Sequence, residues 1–258
     1  MKTIWSIYIR DLKSTSHSFI AYILVAFFVA IVSYFFVSLT TSFSIMSQQW
    51  KTTPGVQDVT FNLTDIVLSN LYFNVAVLVI LFVPLLTMRS FSEEKKQGTL
   101  ELLLTLPIKD YQLVLGKYLS VLTIFILMIL PLLMFPLLIQ FVGGFFEWPT
   151  VITGFIGLVL LGTAFSAIGV FISSLTSNQV VSAVITSGIL LMLWVIGWVE
   201  NYSQSSLAEM TFHLSALSHF KSLAKGVLDV KDVGYYFLVT VFFLYLTIFK
   251  LEARTLKK

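Results

Sequence analysis

The chain lacks cysteine, has three histidines and is poor in charge: Asp, Glu, Lys and Arg make up 11% of its 258 residues. Without cysteine there is no disulfide framework, no thiolate metal site and no thiol nucleophile. His17, His213 and His219 are too scattered to mark a metal centre, so no metal is expected. A soluble domain carries about 25% charged residues. The shortage here, with 57% hydrophobic residues and a mean hydropathy of +0.93, points to the bilayer as solvent.

Catalytic motifs are missing too. No GxxxxGK[ST] phosphate loop occurs, since Gly116-Lys117 lacks both the earlier glycine and the following Ser or Thr. No HExxH or GxSxG pattern occurs either. An enzyme is therefore not expected, nor a cofactor of the chain's own. Basic residues flank apolar runs rather than forming one face, which argues against nucleic acid as a partner.

Six apolar runs are present, at residues 19–39, 71–88, 118–142, 151–175, 180–199 and 233–249. Each is near the length that a bilayer core demands. The expected fold is all-α: a polytopic membrane protein with six transmembrane helices, forming one transmembrane domain over residues 1–258. None of the runs carries a charge in its depth, which argues against a proton-coupled carrier or a voltage sensor. Pro131 and Pro136 should interrupt the third span. In the fourth, Gly162, Ser166, Gly169 and Ser173 recur at helical spacing. Such a small-residue stripe favours close helix packing.

Residues 1–17 place Ile4, Trp5, Tyr8, Ile9 and Leu12 on one helical face and Lys2, Arg10 and Lys13 on the remainder. That pattern predicts an interfacial helix lying on membrane lipid. Residues 40–70 read as a polar connection. Residues 200–232 read as an extracytoplasmic segment with two short amphipathic helices in or on the outer leaflet.

Residues 89–117 are the one polar elbow between two spans. Ser90 and Glu93 fit a capping box, Gly98 should break the first short helix, and Thr99 should cap a second with Glu101 in its first turn. Pro107 should end that second helix. Leu100, Leu102, Leu103 and Leu104 would form an apolar knob in a charged shell, suited to a helix-in-groove dock. A solvated loop is the competing reading. Lys and Arg number three in the N-terminal segment, five in the elbow and four in the tail, against four on the other side. That bias places the elbow and both termini in the cytoplasm.

The elbow segment RSFSEEKKQGTLELLLTLP, followed by GKY, resembles the permease subunits of ABC-2 type exporters, and among them the gliding-associated permeases of Bacteroidota. The residues that carry the resemblance are Arg89, Phe91, Glu93, Glu94, Gly98, Thr99, Glu101, Leu103, Leu104, Pro107, Gly116, Lys117 and Tyr118. Residues 219–237 are similar to that family's segment before its last span. The resemblance implies a permease in the bacterial cytoplasmic membrane, paired with a second copy or a related membrane subunit. ATP would be bound and hydrolysed by a separate ATPase subunit. The elbow would act as the cytoplasmic coupling helix, with Glu93, Glu94, Gly98, Thr99, Glu101, Leu102, Leu103, Leu104 and Pro107 as the coupling residues. A non-transporting scaffold that passes conformational change to an extracytoplasmic partner is the alternative.

Overall fold

A computed structural model describes residues 2–16, 18–52, 64–105, 108–141, 147–201 and 213–255. Among the described residues the protein is 91% helical, without strands. Six helices are long and apolar enough to cross a membrane: Phe19–Gln49, Ile66–Lys96, Asp110–Phe141, Trp148–Leu175, Gln179–Trp198 and Val230–Ala253. The protein is therefore an all-α polytopic membrane protein.

Helix α1 (Lys2–Ser16) precedes α2 (Phe19–Thr52). α2 runs well beyond the expected end at residue 39. The polar residues there do not stop it, because their hydroxyls bond back within the helix. Thr40 donates to the Phe36 carbonyl, Thr41 to Val37, Ser44 to Thr41 and Ser47 to Ser44. Hydroxyls satisfied in this way cost a helix little. The Pro54-Gly55 turn lies outside the described residues.

A π-helical turn, Thr64–Ser69, leads into α3 (Asn70–Thr87). The elbow then contains α4 (Ser92–Lys96) and α5 (Thr99–Thr105). α6 (Asp110–Ile129) gives way to a 3-10 turn, Leu130–Leu133, and then α7 (Met134–Phe141). The break falls at Pro131, which has no N–H to offer an α-helical ladder. α8 (Trp148–Leu175) and α9 (Gln179–Val195) follow. Asn178 starts α9 by accepting from the Val180 and Val181 amides, an ordinary N-cap. After a 3-10 turn, Ile196–Asn201, come α10 (Ala216–Ala224) and α11 (Val230–Thr255).

α8 is the centre of the bundle. It packs against α3, α6, α9, α10 and α11, as its lack of any polar face requires. Its small-residue stripe meets two helices rather than one. A Cβ on Gly162 would lie 2.0 Å from the Phe125 ring of α6, and one on Gly169 would lie 2.2 Å from Thr87 Oγ1 of α3. Ser166 is fully buried beside them.

α10 differs from expectation. The helix Ala216–Ala224 turns its apolar residues inward, while Leu214, Val227 and Val230 are exposed. Ala216, Leu217, Phe220, Leu223 and Ala224 belong to the main apolar core. Their spacing is that of an amphipathic helix, but the apolar face turns into the protein. The other expected amphipathic helix, around Leu207 and Met210, lies outside the described residues.

Candidate functional site

The elbow begins where α3 ends. Its first turn is not capped by Ser90, whose hydroxyl makes no hydrogen bond. The cap comes from Ser173, eighty residues on. Ser173 Oγ accepts from the Phe91 and Ser92 amides at 3.0 and 3.1 Å and donates to the Met88 carbonyl at 3.1 Å. One buried hydroxyl thus satisfies two orphan donors of α4 and ties the elbow to the end of α8. Lys95 Nζ donates to the Ser174 carbonyl beside it. A cation at the C-terminus of α8 also suits that helix's dipole.

Gly98 separates α4 from α5. Its φ of +71° lies in the left-handed region, where a side chain would be strained. Thr99 does not act as a cap. It is the first residue of α5, and its hydroxyl donates back to the Glu94 carbonyl at 3.3 Å. Leu100 does not join an exposed knob. It is 1% exposed and packs in a second apolar cluster with Ile7, Phe91, Leu113, Val114, Tyr118, Val170 and Leu251. Burying such a side chain contributes about 2 kcal/mol, so Leu100 anchors α5 to the body. Glu101 is exposed and Leu103 is half-buried. The side chains of Leu102 and Leu104, and residue Pro107, lie outside the described ones.

Glu94 sits under the elbow in an ion cluster. Lys117 Nζ lies 2.8 Å from Glu94 Oε1 and 3.2 Å from Asp11 Oδ2, and donates to the Ser90 carbonyl at 2.7 Å. An ammonium has three donors, and here each has an acceptor. The same ammonium stands 5.1 Å over the Phe91 ring. Arg10 closes the cluster, with 2.8 Å to Asp11 Oδ1 and 3.1 Å to Glu94 Oε1. Two cations and two carboxylates therefore balance, joining α1, α4 and α6. α1 is held along α6 as well. A Cβ on Gly116 would lie 2.8 Å from Ile7 Cγ2, and Tyr8 bonds Thr123 at 3.2 Å. Glu93 is partly buried, and its carboxylate accepts only a long 3.5 Å bond from Gln97.

Lys117 brings a buried charge to the edge of the third span, just outside the apolar run. It is 4% exposed and lies in the second turn of α6, which begins at Asp110 rather than at residue 118. Asp232 does likewise at the other end of the bundle. It lies inside α11 and pairs at 2.7 Å with His219 Nδ1. Each charge stood one residue outside the apolar run, and each is tolerated because it is paired. Arg10, Asp11, Lys117 and Ser173 are the residues that sequence reading missed as parts of the site. A signal was present for Lys117, which shares a helical face with Leu113, Val114 and Tyr118.

The arrangement offers a short polar lever, fixed to the central helix α8 and to α1. These features define a multi-pass α-helical membrane protein with a braced elbow between its second and third spans. The chain matches the family described as ABC-2 family transporter protein over residues 5–250, and it belongs to that family. It is thus an ABC permease subunit, a class that works with an ATPase partner. Among curated proteins, none matches the chain.

Proposed function

We propose that this chain is the permease subunit of an exporter of the bacterial cytoplasmic membrane, with the elbow and both termini in the cytoplasm. α5 is the coupling helix. Residues 99–104 enter a groove on the ATPase, with Leu102, Leu103 and Leu104 as the inserted face and Glu101 beside it. Gly98 and Pro107 bound the helix, while Thr99 and Glu94 hold it to α4. The observation that carries the reading is the Ser173 clasp. It joins the elbow directly to α8, the helix that packs against α3, α6, α9, α10 and α11. A push on α5 would pass across the Gly98 turn to α4, and from the start of α4 directly to α8. Two such chains, or one with a related membrane subunit, would complete the transporter. Membership of gliding machinery rests on the resemblance of the elbow segment alone.

The test is co-purification with the ATPase. Leu103→Asp and Leu102→Asp should leave the protein inserted but abolish complex formation and stimulation of ATP hydrolysis. Unchanged yield and stimulation would refute the coupling assignment. Cysteines introduced at Gln97 and Pro54 should label from opposite faces of sealed cells. ATP-dependent movement of cargo in vesicles separates an exporter from a mechanical scaffold.

A further inference from the structure

A cavity of about 530 Å³ lies beside the ion cluster, between α1, α2, the end of α3, α4 and the start of α6. Its size falls within the roughly 300–1,000 Å³ of small-molecule sites. Its walls are of two kinds. Leu24, Leu86, Val121 and Ile124 line the part within the spans, and Arg89, Glu93 and Glu94 line the part at the elbow. Ile20 and Leu85 also line it and are exposed on spanning helices. The cavity therefore opens towards hydrocarbon at the level where the apolar runs end.

The charges lining it are not equally satisfied. Arg10 and Lys117 are neutralised by Asp11 and Glu94. Arg89 forms no ion pair among the described residues. Its one hydrogen bond, to Ser18 Oγ, is 3.5 Å long, and its buried Nε has no partner. On the acidic side, Glu94 Oε2 is buried without a partner, and so is Ser90 Oγ. Buried polar atoms almost always have partners. The unmet needs here are one guanidinium and one carboxylate oxygen, set above an apolar slot.

We propose that the cavity binds an amine-bearing phospholipid of the surrounding leaflet, phosphatidylethanolamine in type. The phosphate takes the Arg89 fork, which matches phosphate geometry bidentately. The primary ammonium donates to Glu94 Oε2, with Glu93 next to it, and the acyl chains descend past Leu24 and Ile124. Phosphatidylcholine has no N–H to donate, and phosphatidylglycerol brings no cation for the carboxylates. The site is independent of the coupling assignment, since it needs only the bundle and the elbow's position.

The test is native mass spectrometry of the delipidated full-length chain, titrated with phosphatidylethanolamine, phosphatidylcholine, phosphatidylglycerol and soluble phosphoethanolamine. We expect one ethanolamine lipid bound about tenfold more tightly than either other lipid. Excess phosphoethanolamine should not displace it, and displacement would overturn a lipid as the source. Arg89→Gln should weaken that lipid about tenfold, while Arg89→Lys, which keeps the charge but loses the fork, should weaken it by less. Should Arg89→Gln fail to fold, Ile124→Trp, which fills the tail slot, must give the same loss. Equal binding of the three lipids, or unchanged affinity in the variant measured, overturns the proposal.

Discussion

At the elbow end of the bundle, Arg10, Asp11, Glu94 and Lys117 share one ion cluster. At the far end the equivalent joints are mostly hydroxyl-to-carbonyl bonds. Tyr72 donates to the Val151 carbonyl at 2.9 Å, Tyr236 to Ala216 at 2.8 Å, Tyr235 to Leu214 at 2.9 Å and Ser69 to Ala224 at 3.0 Å. The difference lies in how many partners each group has. A tyrosine hydroxyl bonded to one carbonyl has a single arrangement. Glu94 Oε1 serves both Lys117 and Arg10, and Lys117 serves two carboxylates. The elbow cluster therefore has alternative pairings within reach as α4 shifts, and the far end does not. That asymmetry suits a machine driven from one side.

The comparison breaks most sharply at Lys117. Lys117→Met leaves Glu94 and Asp11 with only the half-exposed Arg10, 46% exposed, as counter-ion. Removing one partner of a buried pair costs about 3–5 kcal/mol. The expected result is a melting temperature in detergent lower by roughly 10 °C, since 1 kcal/mol shifts a chain of this size by about 2–4 °C. A shift under about 2 °C would show that the cluster does not hold the elbow.

Ser173→Ala comes next. It strips the acceptor from two amides in the first turn of α4. An unsatisfied buried group costs about 1–3 kcal/mol, so a loss near 2 kcal/mol is expected. The diagnostic readout is local. Amide exchange should quicken at Phe91 and Ser92 and leave α10 unchanged. Equal quickening at both ends would mean that Ser173 serves general packing.

Much of this fold is legible in the sequence, because span length is set by the bilayer itself. The six spans, the amphipathic α1, the Gly98 break and the apolar interruption at Pro131 all follow from local chemistry. The missing parts are long-range. Nothing near Ser90 reveals that the α4 cap is supplied by Ser173. Nothing in the Lys117 neighbourhood names Asp11, which arrives on α1 from the far side of two spans. Leu100 reads the same as Leu103 in a run of leucines, yet one is core and the other is half-exposed. Residues 40–52 read as a loop because their hydroxyls are polar to a hydropathy window. In the helix those hydroxyls bond inward.

At the far end, Asp232→Asn probes the buried His219–Asp232 pair. Both His219 and Asp232 are 5% exposed, and the imidazole stacks 4.3 Å from the Tyr235 ring. An asparagine oxygen still accepts from Nδ1, and the neighbouring hydroxyl bonds stay in place. The expected cost is about 1 kcal/mol, the net worth of one ordinary hydrogen bond. A loss as large as that of Lys117→Met would mean that charge holds both ends, and the asymmetry would fall.

The smallest effect is expected at Arg10, and it sharpens what the elbow cluster is for. Arg10 contacts both carboxylates but is the exposed member. An exposed ion pair contributes about 0–1 kcal/mol and is screened by salt. Arg10→Gln should therefore leave the melting temperature within about 2 °C of the parent. Glu94 would then depend on Lys117 alone. If the cluster works by exchanging partners, losing the second cation should lower coupled ATP hydrolysis while stability holds. The measurement pairs a thermal melt with ATPase stimulation in the reconstituted complex. Normal stimulation beside an unchanged melt would make the cluster a fixed brace, no different in kind from the tyrosines at the other end.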